Sequence, residues 1–145
     1  MKAKGANGVG RFSVEFEIAN HDDVRDAERG RLAPQKVRRM KISGIVDPGA
    51  ALLVLPESVV KQLGLPIQGK VKVQYADRRK ANRDSAEQAN VQILGRRGVF
   101  TAIVEPRRQT ASIGAIVLEA LDFLVDCRRQ RLVPRDPQMI FAEIE

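Results

Sequence analysis

Short runs in which apolar and polar residues alternate recur along this chain, and they constrain its fold more than any other feature. The first run places apolar side chains at every second position: Phe12, Val14, Phe16 and Ile18. A period of two is typical of a strand with one buried face. Further runs of strand type lie at residues 37–46, 51–55, 71–75, 91–93, 99–104 and 123–133. Many short strands at close spacing predict an all-β protein, a small closed β-barrel with one or two short helices.

Two segments break the strand pattern with apolar residues at helical spacing. Residues 56–65, PESVVKQLGL, begin with a proline suited to a first helical turn and contain Gly64, which suits a helix end. Residues 115–123, AIVLEALDF, predict a second short helix. The polar residues 19–31 predict a loop, and the polar residues 127–130 predict the turn of a last hairpin.

The length of 145 residues predicts a single domain. Residues 1–10 are basic and rich in glycine, which indicates a flexible N-terminus, and residues 11–137 would form the domain. Residues 138–145 form a separate C-terminal segment. No apolar run approaches the roughly 20 residues that span a bilayer, and the N-terminus lacks the apolar part of a secretory signal. We therefore expect a cytoplasmic protein with no membrane contact.

The scarcity of histidine and cysteine excludes several kinds of chemistry. The chain has one histidine, His21, and one cysteine, Cys127. One thiol forms no disulfide within the chain, and a zinc site built from His and Cys ligands is excluded. His21 lies in the polar stretch NHDD, where an exposed side chain is the favoured interpretation. Residues 64–71, GLPIQGKV, end in valine where a phosphate-binding loop needs Ser or Thr. We expect no metal and no cofactor.

The net charge is +7, and basic pairs recur along the chain. Such charge can bind the phosphate backbone of nucleic acids. Most of the pairs, however, lie between apolar runs, where turns are expected, and no aromatic residues are interleaved with them to stack on bases. Solubilising loops are the favoured interpretation. A nucleic-acid partner stays open as a weaker hypothesis.

An acidic residue ends the second apolar run. Residues 44–56 read GIVDPGAALLVLP, with Asp47 between an apolar pair and Pro48–Gly49. Carboxylates are costly to desolvate, so an acid at the end of a buried strand is unusual. The tripeptide alone predicts a turn, in which proline presets one φ angle and glycine accepts a positive one. An aliphatic strand, a Leu-Pro pair and a short helix follow in order, and this context favours a functional role.

This order of motifs resembles the retropepsin-like aspartic peptidases, whose signature is an apolar pair before Asp-Thr/Ser-Gly-Ala. The matching stretch here is Ile45-Val46-Asp47-Pro48-Gly49-Ala50. Other matching stretches are Leu55-Pro56, Leu63-Gly64-Leu65, Tyr75-Ala76-Asp77, Ile113-Gly114, Leu121–Asp126 and Leu132-Val133-Pro134. The resemblance covers residues 11–137 and implies a closed barrel of the acid protease type.

The resemblance also implies roles for individual residues. Asp47 would be catalytic, a flap hairpin with its tip near residues 76–84 would close over an extended peptide substrate, and the terminal segment 138–145 would form a dimer strand. The residues concerned are Asp47 as the catalytic acid, Pro48, Gly49 and Ala50 in the active-site loop, Tyr75, Ala76 and Asp77 in the flap, and Ile113 and Gly114 as support.

Aspartic peptidases use two carboxylates, one as base toward water and one as acid toward the carbonyl group. Two unit charges about 4 Å apart repel by about 4 kcal/mol at an effective dielectric near 20, so one proton stays on the pair at mildly acidic pH. The chain has one matching Asp-x-Gly, so the resemblance implies a homodimer in which a second copy supplies the other Asp47. Asp126 precedes Cys-Arg-Arg, and a turn position is its better interpretation.

Pro48 is the main departure from the family pattern. The Thr or Ser of the family bonds across the two-fold axis, whereas proline has neither a hydroxyl group nor an amide hydrogen. Ala115 stands where relatives often have a polar residue, and Arg78 stands where the flap often has glycine. Two hypotheses follow: a homodimeric aspartic endopeptidase, or a catalytically weak or inactive module that binds peptides or dimerises.

Overall fold

The computed structural model describes residues 11–145. The predicted flexible N-terminus, residues 1–10, lies outside the described residues. Within residues 11–145 the strands are β1 (Phe12–Asn20), β2 (Arg39–Val46), β3 (Leu53–Pro56), β4 (Ile67–Gln74), β5 (Lys80–Ile93), β6 (Arg96–Glu105), β7 (Ala111–Ile113), β8 (Phe123–Asp126) and β9 (Arg131–Pro134). The α-helices are α1 (His21–Glu28), α2 (Glu57–Leu63) and α3 (Ala115–Ala120), and a 3-10 turn covers Pro34–Lys36.

Six strands close into a barrel. The hydrogen-bonded order is β1-β2-β7-β3-β6-β5, and β1 pairs with β5 to complete the ring. Closure removes the open edges that a short sheet would otherwise expose. The strand β4 pairs only with β5 and extends from the ring as a hairpin arm. The predicted fold class, a small closed β-barrel with few short helices, is confirmed.

The core of the barrel is aliphatic. Its most deeply buried large side chains, each 0–1% exposed, include Ile18, Val46, Leu53, Leu55, Ile93 and Ile113. The alternation along β1 places Phe16 and Ile18 inside and Glu15 and Glu17 on the outer side, as its period of two predicts. A chain with only 4% aromatic residues therefore still fills a core, because branched aliphatic side chains pack well on a pleated surface.

The prediction of a loop over the polar residues 19–31 is wrong, because residues 21–28 form α1. The buried Asn20 caps this helix by accepting the N–H of Asp23 at 3.0 Å, and its amide donates to the carbonyl of Leu63 at 2.9 Å. Asp23 is also buried and accepts the backbone N–H of Arg38 at 3.0 Å and its Nε at 2.7 Å. Side-chain hydrogen bonding to Arg38 lowers the pKa of Asp23. Polar contacts, and not an apolar stripe, thus hold this helix in place.

The hairpin between β5 and β6 has a two-residue turn, and β3 begins two residues later than its sequence pattern predicts. The turn is formed by Leu94 and Gly95, and β6 begins at Arg96. Both turn residues have positive φ angles, 49° and 83°, which match the twist of an antiparallel pair. The short strand predicted at residues 51–55 begins at Leu53.

The last hairpin, β8–β9, forms as predicted, and Asp126 accepts the N–H of Arg129 in its turn at 3.1 Å. Beyond it, the N–H of Phe141 donates to the buried Asp122 at 2.9 Å. The structure assigns no strand to residues 138–145 of the single chain, so their role as a dimer strand stays a prediction. Of the helices in the described part of the chain, none is long and apolar enough to cross a bilayer.

Candidate active site

Asp47 lies at the end of β2 and is oriented by its own backbone. Its N–H donates to the carbonyl of Ile113 at 3.0 Å, and its carbonyl accepts the N–H of Ala50 at 3.0 Å. Its Oδ1 accepts the N–H of Gly49 at 3.1 Å. The side chain is 20% exposed, so the carboxylate is partly shielded but reachable from solvent. The end of β2 therefore places one carboxylate, held in a fixed orientation by the N–H of Gly49, at the rim of the barrel.

Pro48 fits the turn that holds this carboxylate. The carbonyl of Asp47 and the N–H of Ala50 close a four-residue turn, in which Pro48 is the first central residue. Proline is favoured there because its φ angle is preset and its missing N–H has no role in the turn. Pro48 and Gly49 are both exposed. Residues 47–50 thus form the turn that the tripeptide predicted, and the same turn orients the carboxylate of Asp47.

Ile113 and Gly114 contact the loop that carries Asp47. Ile113 is fully buried and pairs with Val46 on one side and Leu53 on the other. At Gly114 a Cβ atom would lie 2.4 Å from the carbonyl oxygen of Leu52 and 2.8 Å from that of Ala50. Only glycine therefore lets the loop and the start of α3 approach this closely.

The first amides of α3 bind the active-site loop directly. Ala115 donates its N–H to the carbonyl of Ala50 at 2.8 Å, and Ile116 donates to the carbonyl of Ala51 at 3.0 Å. These bonds satisfy two N–H groups that a helix start leaves without helical partners. The structure thus brings together four of the predicted regions: Asp47, its loop, the Ile113–Gly114 pair and the second helix.

Arg11 is a neighbour of Asp47 that the sequence interpretation missed. Its Nη2 lies 3.3 Å from Oδ2 of Asp47, and its side chain is 55% exposed. The signal is the antiparallel register of β1 and β2, in which Phe12 faces Val46 and the preceding residue therefore faces Asp47. Because β1 and β2 are both evident from their apolar patterns, pairing their ends would have found this arginine.

The residues predicted for the flap lie at the tip of the β4–β5 hairpin. Ala76, Asp77 and Arg78 form the turn, and the N–H of Arg78 donates to the carbonyl of Tyr75 at 2.8 Å. Asp77 accepts the N–H of Arg79 at 3.0 Å, and this bond lowers the pKa of Asp77. Arg78 adopts a φ angle of 72°, the conformation for which glycine is favoured. The tip is therefore narrower than the predicted residues 76–84, because strand pairing resumes at residue 80.

Tyr75 ties the flap to the end of β6. Its hydroxyl donates to Oε2 of Glu105 at 2.6 Å, and Arg83 donates its Nε to Oε1 of the same carboxylate at 2.9 Å. Hydrogen bonding to Glu105 raises the pKa of Tyr75. Arg79 covers the tyrosine ring, with its Cζ atom 4.5 Å from the ring centre. The sequence alone does not indicate that Glu105 contacts Tyr75 and Arg83, because Glu105 is distant from both in sequence.

Comparison with known proteins supports the fold. No protein-family model and no curated protein matches the chain. A structure of the EIAV protease complexed with an inhibitor matches with a TM-score of 0.55, covering 81% of this chain and 93% of that chain. The chain has a retropepsin-type fold. The sequence identity over this match is 13%.

Two foamy-virus structures match more weakly. The solution structure of the simian foamy virus (mac) protease has a TM-score of 0.43 at 13% identity, covering 54% of this chain and 80% of that chain. The foamy viral protease-reverse transcriptase in complex with an RNA/DNA hybrid has a TM-score of 0.46 at 14% identity, covering 66% of this chain and 11% of that chain. At these scores they add nothing to the fold assignment.

The described residues offer no alternative metal chemistry. Within residues 11–145 no group of three His, Cys, Asp or Glu side chains lies close enough to hold a metal ion. His21 sits at the start of α1, where its Nδ1 lies 3.1 Å from the amide of the buried Asn90. Cys127 is exposed in the β8–β9 turn.

Proposed function

We propose that this protein is an aspartic endopeptidase that acts as a homodimer through a pair of Asp47 carboxylates. The observation that carries the proposal is the placement of Asp47 within a retropepsin-type barrel. Its Oδ1 is oriented by the N–H of Gly49, and its loop is braced by Ile113 and Gly114. A carboxylate held at a barrel rim, with one edge open to solvent, suits proton transfer to and from a bound water.

The proposed reaction needs one proton on the two acids. The ionised Asp47 accepts a proton from water, and the water oxygen bonds to the peptide carbonyl carbon. The protonated Asp47 of the second copy donates its proton to the carbonyl oxygen. The carbon–nitrogen bond then breaks, the leaving nitrogen takes a proton from the first acid, and the second acid recovers its own.

Pairing of two copies requires Arg11 to withdraw. In the single chain Oδ2 of Asp47 faces Arg11, and in the proposed dimer that oxygen faces the other copy's carboxylate. The exposed half of the Arg11 side chain gives it room to turn into solvent. Ion pairs at the surface contribute only about 0–1 kcal/mol, so losing the Arg11–Asp47 ion pair costs little free energy.

The peptide substrate would lie extended between the flap and the Asp47 loop, adding a strand to the flap hairpin. The C-terminal segment supports dimerisation because its apolar side chains are uncovered. Met139 is 65% exposed, Phe141 52% and Ile144 87%. A cluster of exposed apolar residues on one terminal segment is typical of a surface that another chain covers.

Pro48 favours a second candidate, a catalytically weak or inactive module that binds peptides or dimerises. Proline cannot form the hydrogen bond that the family's Thr or Ser makes across the two-fold axis. Losing one such bond in each copy costs about 2–4 kcal/mol, which weakens dimerisation about 30-fold to 1,000-fold. The stiffness of proline returns at most about 1 kcal/mol.

Cleavage of a fluorogenic peptide library between pH 4 and 6 tests the proposal. The wild-type protein should cleave peptides at concentrations where sedimentation shows dimers, and Asp47→Asn should abolish cleavage. The matched control is Asp126→Asn, which removes an acid from the β8–β9 turn and should leave cleavage intact. A folded, dimeric wild type that cleaves nothing would favour the module instead. Cytoplasmic location and the absence of a nucleic-acid partner stay predictions.

A further inference from the structure

A basic cleft lies between the flap tip and the loop that follows β6. Its volume is about 640 Å³, within the range of ligand pockets. Four arginines line it, Arg79, Arg83, Arg107 and Arg108, together with Tyr75 and Glu105. A second cleft of about 360 Å³ shares Arg107 and Arg108 and adds Lys61 and Glu57 from α2, whose charged groups lie 4.0 Å apart. The two clefts therefore share two arginines, and together they carry more basic than acidic side chains.

The acids near this cleft are already engaged. Glu105 binds Tyr75 and Arg83, and Asp77 lies 3.3 Å from Nε of Arg79. Arg108 uses only its Nε, which donates to the carbonyl of Thr110 at 2.7 Å, so its two Nη groups remain for a ligand. Planar guanidinium groups bind carboxylates with two parallel hydrogen bonds. The cleft thus has an excess of donors suited to an added carboxylate.

We propose that this cleft recognises an acidic side chain of a peptide, and that Arg107 and Arg108 select it. The inference rests on the proposed peptidase function and names the substrate class of that site, peptides carrying Glu or Asp within about five residues of the cleaved bond. The flap tip and the loop after β6 are the two walls of the cleft. A peptide that runs beneath the flap would therefore pass these arginines.

Strand geometry gives the position of the acidic residue. The carbonyl of Ile113 accepts the N–H of Asp47, β7 spans Ala111–Ile113, and Arg108 lies five residues before Ile113 in the loop that precedes this strand. A strand advances about 3.3 Å per residue, so the Cα atom of Arg108 lies at most about 17 Å from that of Ile113. An extended peptide has the same rise. The acidic side chain is therefore expected within about five residues of the cleaved bond.

The cleft suits a carboxylate better than a nucleic acid. Its aromatic side chain is Tyr75, whose ring is covered by Arg79 and whose hydroxyl is bound to Glu105. Single-stranded nucleic acids bind largely by stacking bases on open aromatic rings. An engaged tyrosine leaves the guanidinium groups as the recognition elements.

Paired peptides test the inference. The members of each pair differ only in Glu or Gln at one of the five residues on either side of the cleaved bond. The wild-type protein should cleave one Glu peptide about tenfold more efficiently in kcat/KM than its Gln partner, a difference expected for a charge-assisted contact. In Arg107→Gln/Arg108→Gln this ratio should fall toward one.

The matched control is Arg97→Gln/Arg128→Gln, which removes the same charge from exposed residues elsewhere. Arg97 precedes Glu105 by eight residues along β6, about 26 Å at strand rise. This variant should keep the wild-type ratio. Equal cleavage of Glu and Gln peptides by the wild type would overturn the inference, and this comparison needs no variant to fold.

Binding separates the inference from the peptidase proposal. Fluorescence anisotropy with the Asp47→Asn protein measures affinity for the same labelled peptides without cleavage. If the wild type cleaves nothing but a Glu peptide binds more tightly than its Gln partner through Arg107 and Arg108, the peptidase proposal fails and acidic recognition stands. If a single-stranded oligonucleotide binds more tightly than the Glu peptide through the same two arginines, acidic-peptide recognition is overturned.

Discussion

Replacing Gly114 with alanine tests whether the active-site loop depends on a close backbone approach. The added Cβ would lie 2.4 Å from the carbonyl oxygen of Leu52, 2.7 Å from its nitrogen and 2.8 Å from the carbonyl oxygen of Ala50. All three atoms belong to the backbone, so no side chain can turn away. The φ and ψ angles of Gly114, −94° and −174°, are open to alanine, so the cost is steric alone.

The magnitude follows from two contributions. Overpacking of this kind costs about 1–3 kcal/mol. Moving the loop also strains its two hydrogen bonds to α3, from Ala115 to Ala50 and from Ile116 to Ala51, each worth about 1 kcal/mol. Alanine stiffens the unfolded chain by about 0.4–1 kcal/mol, which offsets part of this. The net loss of about 2–4 kcal/mol lowers Tm by about 6–16 °C for a domain of this size.

Thermal unfolding followed by circular dichroism measures this loss. The matched control is Gly30→Ala, at a glycine with a φ angle of 75° and no atom within 4 Å of the added Cβ. That change introduces strain without a clash and should cost about 1 kcal/mol. Peptide cleavage should fall for Gly114→Ala and stay unchanged for Gly30→Ala. A Gly114→Ala protein with wild-type Tm would refute the supporting role of this glycine.

Two further predictions concern the dimer and the C-terminal segment. Pro48→Thr should tighten dimerisation about 30-fold to 1,000-fold, or raise cleavage, because threonine supplies the hydroxyl for the proposed cross-dimer hydrogen bond. Sedimentation equilibrium measures the dimerisation. Unchanged dimerisation together with unchanged cleavage would contradict this prediction. Asp122 has a lowered pKa because it accepts the N–H of Phe141 and binds Arg135, so it stabilises the fold above the ordinary carboxyl pKa of about 3.9. Wild type should therefore have a higher Tm than Asp122→Asn at pH 6, and the difference should vanish as the pH falls through the lowered pKa of Asp122. A Tm difference that is constant over this pH range would show that the carboxylate charge has no role.

Much of the fold was predictable because period-two patterns report burial locally. The strands β1, β2 and β6 were evident from their apolar positions. The helix α1 was not, because its docking depends on buried Asn20 and Asp23, and polar residues carry no periodic signal. A polar side chain is buried only when a partner distant in sequence satisfies it.

The candidate site divides in the same way. The Asp-x-Gly loop and the Ile113–Gly114 pair were recognisable as motifs, since each is a short contiguous stretch with its own turn or packing chemistry. The neighbours of these motifs were not recognisable. Arg11 reaches Asp47 through strand register, and Glu105 meets Tyr75 because β6 ends beside the flap.

The sequence by itself determined a small closed barrel and an Asp-Pro-Gly turn at the end of one of its apolar strands. Both follow from local periodicity and turn chemistry, which act between near neighbours in the chain. Only the tertiary structure decided which charges meet: Arg11 with Asp47, Asp122 with the C-terminal segment, and four arginines around one cleft. The physical reason is that Coulomb and hydrogen-bond contacts act over a few ångströms in space, and chain folding, not spacing in sequence, sets those distances.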